Sequence, residues 1–85
     1  MDINFSIRVV DEDGEGISGA SVAVHYDWTH DHGYTDEGGW VEFEKDVMMG
    51  DGVSVTVYVD GEEEGKVWAE DGDTFSFTKT YDDDE

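Results

Sequence analysis

The residues best suited to chemistry in this 85-residue chain are its three histidines, His25, His30 and His32. Residues two apart on an extended segment point the same way, so His30-Asp31-His32 presents two imidazoles on one side. Together with Asp27 or Asp36 they would offer nitrogen and oxygen donors to zinc or another divalent ion. A closed site needs four ligands in tetrahedral geometry, which this spacing does not supply. Solvated loop histidines are the favoured explanation of the pattern, so no metal centre and no cofactor are expected, and His25, His30, His32 and Asp36 stand only as candidates.

Other motifs are weaker. Asp11-Glu12-Asp13-Gly14-Glu15 resembles the start of a calcium loop. It lacks the 12-residue ligand frame and the closing bidentate glutamate, so it reads as an acidic turn. The chain holds no Gly-x-Ser-x-Gly elbow and no phosphate loop. Its many adjacent carboxylates sit in turns, hydrated. The expectation is a protein that is not an enzyme. Arg8, Lys45, Lys66 and Lys79 are too widely spaced for a phosphate-binding face, which argues against nucleic acid.

The elements that must carry these residues are strands. Ile3, Phe5, Ile7 and Val9 alternate with polar residues, predicting a strand at about 3–10. The spacing predicts further strands at about 20–28, 34–35, 40–44, 53–59, 65–69 and around Phe75 and Phe77, with 29–33 as a polar loop and 60–64 as an acidic turn. Eleven glycines and no proline punctuate them. Val47 or the Met48–Met49 pair is placed to cover the end of the core. No stretch has a helical period and none repeats. If 40–44 pairs with 53–59 as a hairpin, Val41 faces Val57, Phe43 faces Val55, Glu42 faces Thr56 and Trp40 faces Tyr58. An exposed Trp40–Tyr58 pair, extended by Trp68, would make a stacking platform for a sugar ring or a partner side chain. The same pair would also serve as a cross-strand contact worth about 0.2–1 kcal/mol.

Four basic residues stand against 24 acidic ones, a formal net charge of −20. In dilute buffer this charge opposes the compact state. At 1 M salt the screening length is about 3 Å and the repulsion fades. The acids fall in turns and outward strand positions, with no face preferred, as adaptation to a salty surrounding would produce. No apolar run reaches the roughly 18 residues of a membrane span, and Met1-Asp2-Ile3-Asn4-Phe5 lacks the basic and apolar regions of a signal peptide. A monomer in a high-salt cytoplasm, without nucleic-acid or membrane partners, is expected.

From Val9 to Phe43 the chain reads VVDEDGEGISGASVAVHYD and then GYTDEGGWVEF. An acidic-Gly turn leads into Ile17-Ser18-Gly19-Ala20-Ser21-Val22, a Thr35-Asp36-x-x-Gly39 turn follows, and Val41 and Phe43 alternate after it. This stretch resembles the carboxypeptidase-regulatory-like and transthyretin-like group of Greek-key β-sandwiches, with Ile17 where that group usually has proline. The resemblance extends over 3–80. It implies fold more than chemistry. Many such domains are non-catalytic modules, while one branch, the hydroxyisourate hydrolases, uses histidines, an arginine and a C-terminal Tyr-Arg-Gly-Ser. This chain ends Tyr81-Asp82-Asp83-Asp84-Glu85 and has Arg8 as its only arginine.

The reading is therefore an all-β, antiparallel Greek-key sandwich, immunoglobulin-like or transthyretin-like, of about seven strands. It is one domain over 1–81 with a disordered acidic tail at 82–85. The expected role is a small, salt-adapted binding module for a protein or carbohydrate, acting through Trp40, Tyr58 and Trp68. A metal-dependent or hydroxyisourate-type hydrolase is the alternative, and a DNA-mimic inhibitor the second.

Overall fold

The computed structural model describes residues 2–47, 50 and 52–80. Seven strands follow one another: β1 (Asp2–Val10), β2 (Ser21–His25), β3 (His30–Tyr34), β4 (Trp40–Asp46), β5 (Gly52–Val59), β6 (Glu62–Glu70) and β7 (Thr74–Thr78). They form a three-stranded sheet in the order β4-β1-β7 and a four-stranded sheet in the order β3-β2-β5-β6. The period-two apolar residues explain the packing. Ile3, Phe5, Ile7 and Val9 of β1 face Val22 and Val24 of β2 and Val53, Val55, Val57 and Val59 of β5 in one shared core. The result is an all-β sandwich. Every strand pairing is antiparallel except that of β1 with β7, which is parallel.

The expected hairpin between 40–44 and 53–59 does not form. β5 lies between β2 and β6, so neither of its edges is open to β4. β4 crosses to the other sheet and pairs with β1, where Phe43 meets Phe5 and Val41 meets Ile7. The two phenylalanine rings stand 5.8 Å apart between centroids. An inward Val-x-Phe can match either neighbour by pattern alone, and the available edge decides.

Three other boundaries move. β2 ends at His25, and Tyr26 to Thr29 form a loop closed by Tyr26 N–H donating to the Thr29 carbonyl at 2.8 Å. His30–Tyr34, expected as loop, is the edge strand β3; four of its residues are exposed, so it shows no apolar alternation. β6 begins at Glu62, because Asp60-Gly61 alone makes the turn, with φ of 52° and 88°. That is the left-handed geometry of a two-residue hairpin turn. A register shift at Val57/Tyr58 leaves Glu64 as an extra residue in β6.

The Ile17–Ala20 and Thr35–Gly39 segments are clamped together. The buried Thr35 hydroxyl donates to the Ile17 carbonyl at 2.5 Å and accepts from Ala20 N–H at 2.8 Å. Asp36 Oδ1 accepts from Gly38 and Trp40 N–H groups at 2.9 and 3.0 Å. Gly39 takes φ +87°, and a Cβ there would stand 2.5 Å from the Val9 carbonyl oxygen. Val47 is buried at the core's end; Met48, Met49 and the tail at 82–85 lie outside the described residues.

Candidate functional site

The four candidate metal ligands do not converge. Asp36 is committed to its turn. His25 and His30 are directly opposite on β2 and β3, with ring centroids 5.3 Å apart. His32 lies along β3, where its Nε2 and Ser21 Oγ are 2.7 Å apart. Among the described residues no group of three or more metal-ligating side chains comes together. The Asp11 turn is also self-satisfied: Asp11 Oδ1 accepts from Asp13 and Glu15 N–H groups at 2.9 and 3.0 Å.

Nor do Trp40, Tyr58 and Trp68 form one platform. Trp40 sits opposite Arg8 on the outer face of the three-stranded sheet, with the guanidinium 5.6 Å from its ring centroid. Arg8 Nε also donates to the Gly38 carbonyl at 3.1 Å. Tyr58 and Trp68 lie on the outer face of the four-stranded sheet. Trp68 is opposite Ser54 and Tyr58 lies four positions further along β5, about 13 Å away. Tyr58 instead stacks near His25, at 4.6 Å between centroids.

The acids are unevenly placed. On the three-stranded sheet, β4 turns Glu42, Glu44 and Asp46 outward beside Asp2 of β1. On the four-stranded sheet the outward positions of three strands, Ser21, Ala23 and His25 on β2, His30, His32 and Tyr34 on β3, and Ser54, Thr56 and Tyr58 on β5, carry no carboxylate. The fourth strand, β6, turns Glu63 and Glu70 outward beside Lys66 and Trp68. The alternation of β2, β4 and β5 was legible, but assigning faces needed the pairing.

A cleft of about 350 Å³ opens beside this face, lined by Asp27, Trp28, Lys45, Asp46, Val47, Gly52, Val53, Ser54 and Trp68. It arises because β5 outruns β2. β2 pairs only with Thr56–Val59, and Gly52–Val55 extend past its end. The 26–29 loop and the end of β4 frame the opening. Trp28 is 69% exposed and Trp68 55%. Trp68 is held in place: its Nε1–H donates to Glu70 Oε2 at 3.0 Å. Its indole lies over Gly52, where a Cβ would stand 2.8 Å from Nε1. Lys45 Nζ sits 4.6 Å from the Tyr26 ring centroid and 5.4 Å from that of Trp28, fixing the loop by cation–π attraction. The Tyr26 phenol is buried and donates to Asp31 Oδ2 at 3.3 Å. Burial, with the Asp31 carboxylate beside it, holds its pKa well above the usual tyrosine range.

Trp28 had escaped the sequence reading. A tryptophan among Asp27, Thr29 and His30 gives no apolar period, and a large apolar residue in a polar loop was the available signal.

A second cluster lies at the other end of the sheet. Lys79 is buried and donates to Glu62 and, at 3.4 Å, to Glu64, the extra residue of β6. The hydrogen bond to Glu62 raises its pKa.

No family model matches the chain, and no curated protein matches it in sequence. Among solved structures, the Bacillus anthracis TIE protein is similar, with a TM-score of 0.63 and 19% identity over 93% of this chain. The chain spans 16% of that protein's length. At this identity the likeness reaches the backbone only, and it places the chain among small all-β sandwiches of two sheets.

Proposed function

We propose that this chain is a non-catalytic, salt-adapted binding module that takes a neutral sugar ring in the cleft between Trp28 and Trp68. The finer description as a transthyretin-like, Greek-key domain rests on the Val9–Phe43 motif and belongs to the same proposal. The observation that carries the reading is an apolar cleft of about 350 Å³ with two exposed indoles at its walls. That volume lies within the range of small-molecule sites, about 300–1,000 Å³. Indole faces stack on the C–H faces of a pyranose, and the carboxylates of Asp27 and Asp46 accept hydrogen bonds from hydroxyls. A net charge of −20 repels anionic ligands, so a neutral polyol fits best. Stacking is also insensitive to salt, unlike exposed ion pairs.

The test is a titration of neutral oligosaccharides followed by tryptophan fluorescence in molar KCl. Binding should shift the emission, and Trp28→Ala or Trp68→Ala should each weaken it by about tenfold, the equivalent of about 1.4 kcal/mol. Binding undiminished in either variant, or no response to any neutral glycan at millimolar concentration, would overturn the reading.

A protein partner on the carboxylate-free outer face of β2, β3 and β5 is the second reading, favoured by the position of Tyr34 and Tyr58 there. Tyr58→Ala separates the two, since it lies outside the cleft. The hydrolase reading draws no support from the geometry: Arg8 and the histidines occupy outer faces of opposite sheets.

A further inference from the structure

His25 and His30 are the residues whose arrangement the cleft leaves unused. They form a directly opposed cross-strand pair between β2 and β3, both exposed and both on the outer face. Their ring centroids are 5.3 Å apart and their planes 34° from parallel. A metal bonded to an imidazole nitrogen at about 2.0 Å lies about 3 Å from that ring's centroid. Two imidazoles on one metal at 90–120° therefore have centroids about 4.4–5.5 Å apart, which brackets the observed separation. We propose that His25 and His30 together chelate a late first-row divalent cation, with copper(II) preferred and water completing its coordination.

Three features of the surroundings support this. Neither ring makes a hydrogen bond to another described side chain, whereas His32 is engaged with Ser21. The Tyr58 ring, 4.6 Å from that of His25, packs one side of the imidazole and limits its rotation. The transverse row through the pair runs Lys66, Thr56, His25, His30 and holds no carboxylate. In a protein with 24 acidic residues this matters, because carboxylate oxygens favour hard cations such as magnesium and calcium. An all-imidazole donor pair selects copper, nickel and zinc, with copper(II) highest in the affinity order.

The probe is copper(II) chloride added to the tag-free full chain in excess magnesium chloride, which occupies the carboxylate coat. Electron paramagnetic resonance reads the number of ligating nitrogens, and calorimetry reads affinity. One copper per chain with a two-nitrogen signature is expected. His25→Ala and His30→Ala should each lower the affinity about tenfold or more, and the double variant little further, because a chelate is lost with either arm. His32→Ala should leave binding unchanged. Both rings are exposed, and circular dichroism of each variant checks that the sheet is intact. Oxygen-only ligation, or affinity undiminished in either His25→Ala or His30→Ala, would overturn the proposal. Equal loss in His32→Ala would overturn the two-residue assignment. None of these outcomes depends on whether the cleft binds sugar.

Discussion

Thr35 and Asp36 show how a motif legible in the sequence acquires a physical role. Their spacing before Gly39 pointed to a turn, and the structure shows the side chains closing it and pinning Ala20 at the entrance of β2. Trp28 was not legible in the same way, because exposure of a loop residue depends on what folds beside it. Titration behaviour is also set by tertiary placement. Tyr26 and Lys79 have folded-state pKa values raised above their ordinary 10.0 and 10.5. Each therefore favours its protonated form on folding, so its contribution is fully present below about pH 10 and is lost as pH rises through the folded value. Between the two values each group removes stability as pH rises, because the unfolded chain releases the proton first. Urea midpoints should be flat from pH 8 to 9.5 and fall above pH 10. Tyr26→Phe should flatten part of that fall; an unchanged alkaline slope would show that the phenol takes no part.

Among the elements, β1, β5 and β7 were readable because their inward residues alternate cleanly. β3 was not, since an edge strand wet on both faces carries His30-Asp31-His32-Gly33-Tyr34 with no apolar rhythm. The partner of β4 was misread for a different reason: adjacency in sequence favours a hairpin, and only the occupation of both β5 edges rules it out. The β5–β6 ladder also positions the candidate site, because Gly52 leaves room for the Trp68 indole. Gly52→Ala puts a methyl 2.4 Å from the Ala69 carbonyl oxygen and 2.8 Å from Trp68 Nε1, so the end of the β5–β6 ladder must give way as well as the indole. The expected outcome is a red-shifted tryptophan emission, weaker sugar binding and a lower urea midpoint. An unshifted spectrum would mean that the indole owes its position to Glu70 alone.

For the whole molecule, the net charge of −20 acts on two unlike faces. The outer face of the three-stranded sheet bears Glu42, Glu44, Asp46 and Asp2, while that of the four-stranded sheet is free of acid on three strands. Self-repulsion is thus concentrated on β4, on β6 and in the turns, away from β2, β3 and β5. If the coat is a salt adaptation, the melting temperature should climb steeply from low salt to molar KCl as the screening length shrinks from about 30 Å at 0.01 M to about 3 Å at 1 M. Glu42→Lys with Glu44→Lys should lower the salt needed for folding. Full stability without added salt would count against the adaptation. The parallel pairing of β1 with β7 bears on a different property, mechanical strength. Ser6 to Val10 align with Thr74 to Thr78 in the same direction, so Asp2 and Thr78 stand at opposite ends of the three-stranded sheet. Tension applied between these two points pulls the strands past one another along their length. The ladder of hydrogen bonds then bears load together, in shear, and cannot open one rung at a time as a peeled hairpin does.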